Sequence, residues 1–121
     1  MARYRLSGPA KADIASILQT SEQQYGEDAR IRYRGLLTAA MRRIAVDQQG
    51  QSTQDRGELL LGLRSFHIRH SRNESREAPF GDPVHVIFYR AAAPELVEIV
   101  RVLHDRMEPY LHMSNEGDDE A

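Results

Sequence analysis

A chain of 121 residues with 40% apolar content has the length of one domain and enough hydrophobic material for a single core. It carries no cysteine, which excludes disulfides, thiolate metal sites and a cysteine nucleophile, and no apolar run approaches the length of a membrane span. The net charge of −2 hides an asymmetry: Glu116, Asp118, Asp119 and Glu120 lie in the last six residues, and without them 16 basic residues face 14 acidic ones, so the body is mildly basic.

The opening Met1-Ala2-Arg3-Tyr4-Arg5 leads into a polar helix with no apolar signal segment, and a cytoplasmic location is expected. Arg3 to Leu6 alternates and reads as a short strand, possessing a free edge able to accept another strand. Ser7-Gly8-Pro9 then reads as a helix start, with the serine placed to cap free amides. Ala10, Ile14, Ile17, Leu18, Ser21 and Tyr25 form one stripe on a helix that ends at Gly26. A second helix, from about Asp28 to Asp47, follows at once. Its buried stripe is Ala29, Tyr33, Leu36, Leu37, Ala40 and Ile44, and Arg30, Arg34 and Arg42 lie opposite. The short Gly26 turn makes the two an antiparallel hairpin.

Gln48 to Gly57 is polar and reads as a loop. The period then changes to two. From Leu63 to His70, Arg64, Phe66, Ile68 and His70 share one face, and Ser65, His67 and Arg69 the other. Val84 to Arg90 alternates likewise, and Leu96 to His104 is almost wholly apolar, as expected of a central strand. Ser71 to Pro83, rich in Gly, Pro and Asn, reads as a long mobile loop between strands. Met107 to Met113 suggests a last turn of helix, and 114–121 an acidic, disordered tail. That tail either solvates the chain end or folds back on the basic body. The expected fold is therefore α+β: residues 1–113 form one domain in which an N-terminal strand and a helical hairpin pack on a three- to four-stranded antiparallel sheet, with a short C-terminal helix.

Common catalytic signatures are absent: there is no Gly-rich phosphate loop, no Gly-x-Ser-x-Gly elbow and no His-Glu-x-x-His. His67 and His70, three apart on a strand, point to opposite faces and cannot grip one metal together, so no metal or other cofactor is expected. Hydrogen bonding at a half-buried sheet surface is the simpler role for His67, His70 and His85. Arg101 and His104 stand out because a charge inside the apolar run Val97 to Leu103 needs a partner or a groove. Two readings are open. Arg101 either pairs internally, with Glu98 or Asp105, or is a recognition residue near His104 and Arg64 or Arg90. Tyr110 offers an aromatic contact to the same surface, and Tyr89 either does so or packs inside.

Tyr4-Arg5-Leu6-Ser7, Gly62-Leu63-Arg64-Ser65, His85-Val86-Ile87-Phe88-Tyr89-Arg90 and Arg101-Val102-Leu103-His104, with Met107 and His112 after it, resemble the ParE branch of the RelE/ParE toxin superfamily. The resemblance covers about residues 3 to 113, and its most specific part is the Arg101 to His104 string with its trailing methionine and histidine. It implies a toxin of a bacterial type II toxin-antitoxin system, encoded beside a ParD-like ribbon-helix-helix antitoxin with which it forms a hetero-oligomer. ParE-like toxins inhibit DNA gyrase without catalysis of their own; RelE-like relatives cut messenger RNA on the ribosome. The lysine-rich loop of the cutting branch is missing here, since Lys11 is the only lysine. The residues expected at the antitoxin- or target-binding surface are Arg64, His67, Arg69, Arg90, Arg101, His104 and Tyr110, and a nuclease would rest on Arg64, Arg101 and His104. Neither membrane association nor sequence-specific DNA binding is implied.

Overall fold

The computed structural model describes residues 2–77 and 81–113. Strand β1 (Arg3–Leu6) is followed by helices α1 (Gly8–Tyr25) and α2 (Glu27–Val46), strands β2 (Thr53–Asp55), β3 (Arg64–His67), β4 (His85–Ala93) and β5 (Leu96–His104), and a short helix α3 (Tyr110–Met113). The strands form one sheet in the order β1-β5-β4-β3-β2. The expected α+β architecture is present, with a larger and mixed sheet: five strands, of which β1 runs parallel to β5 while the other neighbours are antiparallel.

The helices form where their apolar stripes say they should. Ala29, Tyr33, Leu36, Leu37, Ala40 and Ile44 are all buried, and all but Ala29 join Ala10 and Leu18 of α1 in one core with Phe66, Ile87, Tyr89, Val97, Ile99 and Val102 of the sheet. Tyr25 departs from the expected stripe: it sits at the last residue of α1 and is 70% exposed. A second cluster on the sheet joins Leu63, Phe88, Val100, Leu103 and Met113, with Leu59 and Leu60 partly buried against it. Thus α3, shorter than the expected Met107 to Met113 turn, closes the core from the C-terminal side.

Gly26 joins the hairpin as the cap shared by both helices, at φ 94 and ψ 174, a region that only glycine enters at low cost. A Cβ there would meet no heavy atom within 4 Å, so a substitution strains the backbone and not the packing. Gly26→Ala is therefore expected to destabilise the fold by about 2 kcal/mol, read as a lower urea midpoint with an unchanged slope.

Two expectations change. Thr53–Asp55, inside the expected loop, pairs with β3 as an edge strand; three polar residues are too few to show a period. The strand expected to run from Leu63 to His70 stops at His67, and Ile68–Ser71 turns into a 3₁₀ helix that buries Ile68 and Ser71. Alternation therefore ends at His67, and the separation of His67 from His70 no longer follows. Strand β1 covers only Leu96 to Ile99 of β5. Beyond it α1 closes the strand edge. Ser7 Oγ accepts from the Ala10 amide as the expected cap and also donates to the Val100 carbonyl, at 3.0 and 2.8 Å. One turn on, the Asp13 carboxylate accepts the Val102 amide at 2.9 Å. The irregular connection after the 3₁₀ turn lies against α2, where Arg43 pairs with Glu74 at 3.3 Å. The expected acidic tail, 114–121, lies outside the described residues.

Candidate functional site

The end of β3, the start of β4 and the end of β5 meet at one end of the sheet. His67 is opposite Val86, Val86 opposite Leu103, and His85 opposite His104. The 3₁₀ turn after β3 brings Arg69, His70 and Arg72 beside them, and Asp105, Arg106 and Met107 follow directly from β5. Two adjoining depressions share His67, Arg69, His70, His104 and Asp105; one extends toward Arg56 and Met107, the other toward Arg72, Asp82 and Arg106.

Hydrogen bonds set the tautomers. His67 Nδ1 accepts the Arg69 amide at 3.1 Å, so its proton sits on Nε2, which donates to Asp105 at 3.0 Å. That bond is the main reason the Asp105 carboxyl is held below the usual carboxylate range. His104 Nδ1 accepts the Arg106 amide at 3.1 Å, which rules out a hydrogen bond to Asp105 from the same nitrogen although the two groups lie 3.3 Å apart. The His104 ring meets His85 edge to face, with centroids 5.6 Å apart. Behind them the Tyr33 hydroxyl oxygen accepts a hydrogen bond from the Val84 amide at 3.2 Å, leaving its own proton to be donated to His85 Nδ1 at 2.6 Å. Burial pushes the Tyr33 hydroxyl up to about 12. Burial, helped by the charge of His104, pushes His85 down to about 4, so the pair is neutral at pH 7. A neutral tyrosine-histidine bond thus lies behind His104, while the groove itself is lined by charged and polar side chains.

The residues expected at the partner surface separate. His67, Arg69 and His104 come together in this groove. Arg101 reaches across the edge of β5 to Asp13 of α1, with Nε and Nη2 at 2.8 and 2.9 Å from the two carboxylate oxygens, and Nη1 donates to the His112 carbonyl at 3.3 Å. Its partner is neither Glu98 nor Asp105: Glu98 serves Arg90 and Arg5, and Asp105 serves His67. Arg64 stands opposite Tyr89, four residues along β4 from His85, and donates to the Gln48 carbonyl and Thr53 Oγ1. Arg64, Arg101 and His104 therefore do not converge on one cleft. Tyr110 is 62% exposed on α3, while Tyr89 is fully buried and donates to the Gln48 carbonyl at 2.5 Å.

Sequence reasoning passed over Asp13, which lies 88 residues from Arg101 on the side of α1 that faces β5. It also counted Tyr33 as simple core. A signal existed there, because a tyrosine in a buried stripe needs a partner for its hydroxyl.

A second cationic surface lies on the outer side of α2. Arg34, Arg42, Arg43 and Arg76 border a groove floored by Ile31, Thr38 and Ala39, with Glu74 and Glu77 on its rim. Gly35 lets the 72–77 segment approach closely: a Cβ there would stand 2.8 Å from Glu77 Cγ and Ser75 Oγ. Arg34, Arg42 and Arg76 form no ion pair among the described residues. Nor does any group of three or more metal-ligating side chains converge among them. No helix there is long and apolar enough to cross a membrane.

The sequence profile of a family described as the ParE toxin of type II toxin-antitoxin system, parDE, matches residues 4–109. The chain is also similar to Toxin ParE1 of Caulobacter vibrioides, 34% identical over 113 residues that span 93% of this chain and 99% of that protein. The match runs from β1 through β5, including Ser7, Asp13, Tyr33, Arg101 and the sheet-end groove, and stops just before α3. The chain belongs to the ParE toxin family of type II toxin-antitoxin systems.

Proposed function

We propose that this toxin acts in the cytoplasm by inhibiting DNA gyrase, through binding and not catalysis, and that a ParD-like ribbon-helix-helix antitoxin neutralises it in a hetero-oligomeric complex. The observation that carries the non-catalytic reading is the internal commitment of Arg101 and Arg64. A ribonuclease must place a base or acid and several free cations around one phosphate, and Arg101 is held by Asp13 while Arg64 is held by Gln48 and Thr53. Arg101 then contributes by holding α1 on β5. His67, Arg69 and His104 form the target-facing groove, flanked by the exposed Tyr110, while Arg90, farther along β4, pairs with Glu98.

The antitoxin's place in this reading is the groove along α2. Its apolar floor and unpaired arginines suit an acidic amphipathic segment laid in helix-in-groove fashion. Purified toxin is expected to block gyrase supercoiling and to leave ribosome-bound mRNA intact. Cleaved mRNA with normal supercoiling would replace the proposal with the ribonuclease alternative. Arg34→Gln/Arg42→Gln/Arg76→Gln is expected to keep gyrase inhibition and to weaken neutralisation by the antitoxin at least tenfold, measured as the antitoxin concentration that restores supercoiling.

A further inference from the structure

Arg69, Arg72 and Arg106 are exposed and, among the described residues, none of them forms an ion pair. Most other arginines of the chain have an acidic partner. The crowding of these three has a definite origin. Arg69 lies in the 3₁₀ turn and Arg72 caps it, its amide donating to the Arg69 carbonyl at 3.2 Å. Residues three apart in such a turn eclipse one another, so the two guanidinium groups leave the backbone side by side. Arg106 enters the same depression from the other wall, after β5. Two carboxylates, Asp82 and Asp105, line the depression, and Asp105 is engaged by His67.

Histidine rings stand among these charges. His70 is exposed with its ring 5.6 Å from Phe66, and His104 is part-exposed with its ring 5.6 Å from His85. Arginines set among exposed rings suit a ligand that is both a chain of phosphates and a stack of bases. An acidic peptide would use the charges and leave the rings idle.

We propose that the sheet-end groove binds single-stranded nucleic acid, with Arg69, Arg72 and Arg106 on successive phosphates and His70 and His104 against the bases. The inference shares the groove's placement with the proposed function, yet it is measured on isolated strands without gyrase, so its failure leaves gyrase inhibition untouched. The probe is a fluorescently labelled twelve-nucleotide DNA strand, its RNA counterpart and the DNA duplex, followed by anisotropy on the full chain.

Three phosphate contacts predict a log–log salt slope of about −2, so affinity for single strands falls about 20-fold between 50 and 200 mM salt. Arg69→Gln/Arg72→Gln/Arg106→Gln is expected to abolish that dependence. Because all three side chains are exposed, the variant keeps its melting temperature. Arg34→Gln/Arg42→Gln/Arg76→Gln, an equal loss of charge on α2, keeps the slope. His70→Ala weakens binding at least fivefold without altering the slope. Preference for DNA or for RNA then identifies the source of the strand. Absence of binding at 50 mM salt, equal losses in both triple variants, tighter binding of the duplex, or capture of poly-glutamate in place of either strand would each overturn the proposal.

Discussion

Arg101→Ala is expected to lower the stability of the fold by about 3 kcal/mol, the range for breaking a largely buried ion pair, and the melting temperature by roughly 10 °C. The Arg101 and Asp13 side chains are only 18% and 14% exposed. Removing the guanidinium strands a carboxylate that accepted two of its N–H groups, and the single remaining donor, the Val102 amide, cannot neutralise it. The His112 carbonyl loses a donor as well, loosening α3. Arg101→Lys retains the charge without the two-pronged geometry and should lose about 1–2 kcal/mol. Asp13→Ala/Arg101→Ala should be less destabilised than the sum of its single variants, because neither charge is left stranded. Urea unfolding at pH 7 measures these variants, Asp13→Ala and the unaltered chain. A loss below about 0.5 kcal/mol in Arg101→Ala, the level of an exposed pair, would show that Arg101 does not hold α1 to the sheet.

The second large effect is a pH dependence centred on His85. In the folded chain its imidazole titrates at about 4, against 6.5 when unfolded, because it is buried against Tyr33 and lies beside His104. Between these values the unfolded chain binds more protons than the folded one, so stability rises with pH. The full contribution is present above pH 6.5 and is lost as pH falls toward 4, on the order of 2–3 kcal/mol. His70, lowered in the same direction by partial burial and the neighbouring Arg69, adds a smaller slope of the same sign. Asp105, held low by His67, acts mainly below pH 4. His85→Asn offers the Tyr33 hydroxyl an acceptor without a titrating ring. The difference in unfolding free energy between pH 7 and pH 4.5 should shrink by about 2 kcal/mol in that variant; an unchanged difference would place the acid sensitivity elsewhere.

What could be read in advance follows the range of the interaction that decides it. The stripe from Ala29 to Ile44, the turn at Gly26 and the cap at Ser7 are local, and all three are where the sequence puts them. The apolar run Leu96 to His104 likewise forms the strand between β1 and β4. Thr53–Asp55 becomes a strand only because β3 offers it partners, and Arg3↔Leu96 pairing joins residues at opposite ends of the chain. Local pattern carries neither. The site divides in the same way. His67, Arg69 and His104 were legible as polar residues at strand ends, while the partner of Arg101 was not, since Asp13 is indistinguishable in sequence from any solvated helix residue.

The position of β5, between β1 and β4, sets a condition on how the toxin comes into being. The first strand takes its partners from residues 95 to 99 and the start of the first helix is tied to Val100 and Val102, so both depend on a segment made long after them. A nascent chain still holding that segment inside the ribosome has a helical hairpin with nothing to lie on and a sheet lacking its middle. The sheet can therefore close only once β5 is available to both β1 and β4.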